Sequence, residues 1–179
     1  MKTIQQHISE RLQLSKDRIN NKYEYFPKTK EELNDIIEDI TNNHISDKII
    51  DLNMIDTSKI EDMEKLFYRK KHNYNISRWN VSNVIKMDAM FAFSKFNNDI
   101  SQWDVSQVED MRSMFWNTTF NQDISKWDVS NVKTMNYMFA YSPFEQDISN
   151  WKVSDKCDTY NMFLDCPMET KTPSWYKEY

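Results

Sequence analysis

The sequence predicts an α/β repeat solenoid, with one short parallel strand and one short helix in each unit and a helical cap at the N-terminal end. Three observations carry that expectation. Five of the six tryptophans, Trp79, Trp103, Trp127, Trp151 and Trp175, share one phase of a 24-residue period. Methionine and phenylalanine keep the same clock: Met63, Met87, Met111 and Met135 form one column, Met90, Met114, Met138 and Met162 a second, and Phe67, Phe91, Phe115, Phe139 and Phe163 a third. No insertion disturbs the register from Leu52 to Trp175. Self-similarity at a fixed period is the signature of stacked supersecondary units, none of which can bury its apolar face alone.

Each unit divides into two halves. The front half reads I-x-x-W-x-V, as in "ISQWDV" and "ISKWDV", and its alternation about one polar residue predicts a short strand. Neighbouring strands of this kind pair in parallel at about 4.8 Å per unit. The back half, V-x-x-M-x-x-M-F, spaces apolar residues by three and four, which predicts one face of a short helix. Ser58, Ser82, Ser106, Ser130 and Ser154 lie between the halves as N-caps, and Ser58–Glu61 and Ser106–Glu109 have the spacing of a capping box. The chain has no glycine, so turns with positive φ are expected at Asn and Asp, notably in "FNND", "FNQD" and "FEQD".

The apolar order I-x-x-W-x-V is the L-x-x-L-x-L of a leucine-rich repeat with Trp in the middle slot. The run "FNQDISKWDVSNVKTMNYMF" resembles the BspA-like leucine-rich-repeat proteins of the bacterial surface type, over about Pro27 to Phe163. The resemblance implies a leucine-rich-repeat-like scaffold in a bacterial protein and leaves the partner unnamed, because the repeat serves many proteins.

The expected organisation has four parts. Residues 1–26 hold an amphipathic helix marked by Ile4, Ile8 and Leu12, then a polar linker. Residues 27–51 form the helical cap, with Thr29 and Glu32 as a capping box and Leu33, Ile36, Ile37 and Ile40 on one face. Residues 52–163 make about five units, and residues 164–179 a half-unit cap ending the tryptophan column at Trp175. A net charge of −5 with pI near 5.3 gives no electrostatic footprint for nucleic acid. The opening "MKTIQQHISERLQLSKD" lacks an apolar signal region, and no stretch has the length of a membrane span. A cytoplasmic location, or association with a phage particle, follows as the expectation.

Nothing in the pattern points to catalysis, a cofactor or a metal. His7, His44 and His72 are scattered, and Cys157 and Cys166 read as separate reduced thiols at the two ends of the last helix. The column Asp99, Asp123, Asp147 reads as turn architecture, its carboxylates bonding backbone amides. What remains is recognition of a protein partner, on one of two surfaces. The first is aromatic. Column 92 reads Ala92, Trp116, Ala140, Leu164, so Trp116 is the one tryptophan outside the repeat, with Phe93, Tyr137 and Tyr141 nearby in phase. Large aromatics that the architecture does not require are enriched in binding hot spots. The second is a polar ladder on the outward side of the sheet: Arg78, Asn80, Gln102, Asp104, Lys126 and Asp128. The reading is therefore a non-enzymatic protein–protein interaction module without nucleic-acid or membrane partners. The rival is a structural or particle-associated component, such as a phage virion protein docked through residues 1–26. A surface adhesin is disfavoured by the missing signal region.

Overall fold

The computed structural model describes residues 23–44 and 49–177. The amphipathic helix expected before residue 23 lies outside the described residues. Regular secondary structure is sparse: helix α1 (Lys30–Asn42), two two-residue strands, β1 (Ile50–Asp51) and β2 (Tyr74–Asn75), and a 3-10 turn at Pro167–Thr170. The strands pair in parallel, Ile50 with Tyr74 and Asp51 with Asn75.

The units are joined elsewhere, through the half expected to be helical. The N–H groups of Met87, Ala89, Phe91 and Phe93 donate to the carbonyls of Asp110, Arg112, Met114 and Trp116 in the next unit, at 2.8–3.0 Å. The same four bonds join every adjacent pair of units from Met63 to Leu164. Parallel bridges mark the start of each set, running Asp62–Lys86–Asp110–Thr134–Asp158. The intervening N–H groups stay within the unit: Met90, Ala92 and Ser94 donate to Met87, Ala89 and Phe91. Each back half is thus a run of three-residue-step turns, not a helix. A helix would spend every N–H internally, whereas here alternate N–H groups reach the neighbour.

This geometry needs the left-handed backbone at two positions per unit. The first column is Lys65, Ala89, Ser113, Tyr137 and Asn161, the second Arg69, Phe93, Asn117, Tyr141 and Asp165, with φ between 50° and 58°. The expectation for "FNND", "FNQD" and "FEQD" is corrected, since no left-handed residue lies there. Those segments build an asparagine ladder instead. Asn97, Asn121 and Glu145 N–H groups donate to the side-chain oxygens of Asn73, Asn97 and Asn121 one unit back, at 2.9–3.2 Å.

The front half is also turn rather than strand. Trp103 N–H donates to Ile100 O and Val108 N–H to Val105 O, and the W-D-V segments do not pair with one another. What links them is the indole. The Nε1–H groups of Trp79, Trp103, Trp127, Trp151 and Trp175 donate to Leu52, Ile76, Ile100, Ile124 and Ile148 carbonyls, each 27 residues back, at 3.0–3.2 Å. Nor do the serines cap helices. Ser58, Ser106 and Ser130 N–H groups donate at 3.0–3.1 Å to Asp56, Asp104 and Asp128 carboxylates two residues earlier. A short side-chain acceptor two residues upstream offers the amide a turn in place of a helix start.

The predicted core positions nevertheless are the buried ones. Trp79, Trp103, Trp127 and Trp151 are each 4% exposed. Phe67, Phe91, Phe115, Phe139 and Phe163 stack at 5.5–6.0 Å with planes within 8°. A second phenylalanine column, Phe96, Phe120 and Phe144, stacks against the first at about 4 Å. Cys157 takes the place held by Val132 one unit earlier, its N–H donating to Ser154 as Val132's does to Val129. The chain therefore slips by one residue in the last unit, and Val153 is left half-buried.

Both ends are covered. Thr29 Oγ1 accepts from Glu32 N–H at 3.2 Å, which starts α1 at the N-cap the spacing predicts, whereas Glu32 Oε2 accepts at 2.9 Å from Lys28 N–H, one residue before the N-cap, in place of the reciprocal capping-box bond from Thr29. Leu33, Ile36 and Ile37 are buried against the first unit, and Lys30–Asp62 (3.0 Å) and Lys70–Glu38 ion pairs fasten the helix over it. Tyr25, assigned to the linker from the sequence, joins the stack by a parallel bridge to Ile55. At the other end Trp175 stacks on Trp151 at 6.1 Å, and Tyr176 packs edge-on against Phe163.

Candidate functional site

The turn run faces solvent along its outer side and carries there the residues that do not repeat. Four ring contacts form a continuous stripe across five units. Tyr68 meets Phe93 edge-on at 5.8 Å, Phe93 meets Trp116 at 5.0 Å, Trp116 meets Tyr137 at 6.1 Å, and Tyr137 meets Tyr160 edge-on at 5.7 Å. The Arg69 guanidinium closes the first end, 5.1 Å from the Tyr68 ring and 5.4 Å from Phe93. Of the four residues singled out from the sequence, Phe93, Trp116 and Tyr137 are brought together. Tyr141 stands outside the chain of contacts, 48% exposed, with its phenol beside Asp165.

Tyr68, Arg69 and Tyr160 were not found from the sequence. The signal for Tyr68 is present: it occupies Trp116's column two units earlier. Tyr160 takes the slot that holds Arg112 and Asn136, and only the path of the turns brings it to Tyr137.

Phe93, Tyr137 and Tyr141 all occupy left-handed positions. A side chain with a Cβ costs roughly 1–2 kcal/mol there, least for Asn and Asp. The same columns carry Asn117, Asn161 and Asp165 in other units, with Lys65, Arg69, Ala89 and Ser113 in the rest, so the backbone does not require an aromatic at either slot. Aromatics at these three slots oppose the local preference of the fold.

The polar ladder is a different surface from the one expected. Arg78, Asn80, Gln102, Asp104, Lys126 and Asp128 are exposed, but they sit on turns, not on the outward side of a sheet. Asn80, Asp104 and Asp128 each place Oδ1 on the N–H of Ser82, Ser106 or Ser130 at 3.1 Å. The bonds from Ser130 hold the Asp128 carboxyl below its ordinary range. The ladder's acceptors are committed to the turns that build the unit.

The thiols are buried. Burial, aided by Asp158, pushes Cys157 up to about 11, and burial raises Cys166 as well, its Sγ lying 3.1 Å from Phe144 O. Among the described residues no group of three or more His, Cys, Asp or Glu side chains is placed to hold a metal ion. No described helix is long and apolar enough to cross a membrane.

A family model described as "Mycoplasma protein of unknown function, DUF285" matches residues 32–119 and again 93–176. The two matches overlap and together run the length of the stacked units. This chain belongs to the DUF285 family. No curated protein and no solved structure matches it significantly. The two matches share residues 93–119, so the middle of the chain satisfies the family model in both.

Proposed function

We propose that this DUF285 chain is a non-enzymatic protein–protein interaction module on a BspA-like leucine-rich-repeat solenoid, and that it holds its partner on the aromatic stripe. Membership of a family described from Mycoplasma supports a bacterial repeat protein. The observation that carries the functional reading is the placement of Phe93 and Tyr137 at left-handed positions flanking Trp116. The interior repeats unit after unit, whereas these slots vary and hold residues the backbone disfavours. Rings held against one another bury large area on binding at small loss of side-chain freedom, which suits an energetic hot spot.

The test compares capture of a partner by the native chain, Trp116→Ala, and Asp104→Lys with Asp128→Lys. The native chain and the ladder variant should retain the same partner after cross-linking in the source cells. Trp116→Ala should lose about 2 kcal/mol or more of binding. Loss in the ladder variant with retention in Trp116→Ala would move the site to the ladder.

A further inference from the structure

Beyond each parallel bridge, the bonds that join successive turn runs all point one way. Each run donates N–H groups to the unit that follows and offers carbonyls to the unit before it. One edge of every run therefore carries linking N–H groups alone, and the other carries linking carbonyls alone. An ordinary strand shows both kinds of group along an edge. At the first unit the carbonyls of Asp62, Glu64, Leu66 and Tyr68 accept from no described residue. Helix α1 closes that end, tied by Lys30 to Asp62 and by Glu38 to Lys70. At the last unit the matching donors are the N–H groups of Thr159, Asn161, Phe163 and Asp165, and no described residue accepts from them. Thr159 and Phe163 are only 3% and 1% exposed. Buried N–H groups are rarely left without an acceptor.

The repeat breaks at the same place. Met63, Met87, Met111 and Met135, each fully buried, are followed in their column by Thr159. A cleft of about 140 Å³ opens beside this shorter side chain, lined by Val153, Cys157, Thr159 and Trp175. Asp155 and Lys177 complete the lining as an ion pair at 3.1 Å. Unmet backbone donors and an unfilled methionine slot thus lie together at one end of the stack.

We infer that this last turn run is a docking edge for the back half of a unit of the same type, supplied by a different repeat protein. The occupant bonds through its carbonyl edge and seats a methionine in the cleft at Thr159. The direction of the donors selects it. A segment in the same turn form offers a row of carbonyls, whereas a β-strand sets its own N–H groups against those of the edge. A free anion is disfavoured, because the run carries exposed Asp158 and Asp165. A second copy of this chain is disfavoured as well, because α1 closes its carbonyl edge. Tyr176 packs on Phe163 at 5.1 Å, where the occupant's phenylalanine would stack, so docking displaces it. The site does not involve Trp116 and does not rest on the recognition reading above.

The experiment follows amide hydrogen exchange of the whole chain by NMR, with and without an acetylated, amidated peptide copying residues 129–142. The peptide should slow exchange at Thr159, Asn161, Phe163 and Asp165 by more than about tenfold. Met135→Ala in the peptide should weaken its binding by about tenfold or more. Thr159→Met in the chain, which fills the cleft with the residue of the other units, should do the same. Absence of protection at the four amides would overturn the inference. Unchanged affinity in both variants would overturn the methionine's place in the cleft. Equal protection by a strand peptide of alternating Thr and Val would overturn the carbonyl-edge occupant. Protection that arises without peptide as the chain is concentrated, with dimers in sedimentation, would overturn the occupant in favour of a second copy. Trp116→Ala should bind the peptide as the native chain does, which keeps this test separate from the partner capture described above.

Discussion

The inner and outer sides of the stacked turns obey different rules, though they are the same residues of chain seen from opposite sides. Inside, Phe67, Phe91, Phe115, Phe139 and Phe163 are one residue type in five successive units, stacked nearly parallel. Outside, the slots two residues further along read Arg69, Phe93, Asn117, Tyr141 and Asp165. An inward side chain packs on its own copies, so any change of volume is felt by two neighbours at once. An outward side chain meets water and one left-handed backbone, and only the second of these constrains it. Uniformity therefore marks what the stack requires, and aromatic departures from uniformity mark what it does not.

The comparison breaks first at a buried column. Trp127→Ala removes a 4%-exposed ring and leaves the Ile100 carbonyl without its indole donor, and should destabilise the chain by about 3–5 kcal/mol. Trp116→Ala, on the outer side, should shift the urea midpoint far less. Equal losses would mean that the two sides do not differ.

The asparagine ladder should lie between these extremes. Asn97 Oδ1 accepts from Asn121 N–H and from Gln122 Nε2, so Asn97→Ala orphans two donors and should cost about 1–3 kcal/mol. Chemical denaturation of that variant beside Lys126→Ala, expected to be nearly silent, measures the ladder's share.

A change of opposite sign is expected at Tyr141. Replacing it by Asn, the residue of the same column at Asn117, relieves a φ of 56° at little packing loss and should stabilise the chain by about 1 kcal/mol. Weakened partner binding in the same variant would show stability and recognition opposed at one residue. A destabilised Tyr141→Asn would show that the ring serves the fold.

The smallest effect is electrostatic. Serine N–H and hydroxyl groups hold Asp123, Asp128 and Asp147 below the usual carboxylate range. A depressed folded pKa contributes stability that is present above the unfolded value and is lost as pH falls through the folded one. Urea midpoints should accordingly drop on acidification below about pH 4, and Asp128→Asn should flatten part of that drop. A profile unchanged in the variant would mean that the Asp128–Ser130 bonds contribute nothing measurable.

By itself the sequence determined the 24-residue register, the N-cap at Thr29 and the identity of the buried columns, because burial follows spacing whatever backbone supplies it. Apolar residues at steps of three and four suit a helix and a run of three-residue turns alike, so the pattern named the right side chains on the wrong element. It also singled out Trp116, since a residue that breaks a period is visible without coordinates. Tertiary structure alone decided where the hydrogen bonds go. Alternate N–H groups find carbonyls one unit away, indoles reach back to the preceding unit, and two positions per unit turn left-handed to allow both. Those choices depend on a neighbour being in place, and a neighbour a full unit away along the chain leaves no local mark. The aromatic stripe joins both kinds of knowledge. Phe93, Trp116 and Tyr137 were legible as departures from the repeat and Tyr68 carried the same signal in Trp116's column, whereas Tyr160 entered only when the turns carried five separate units to one line of contacts.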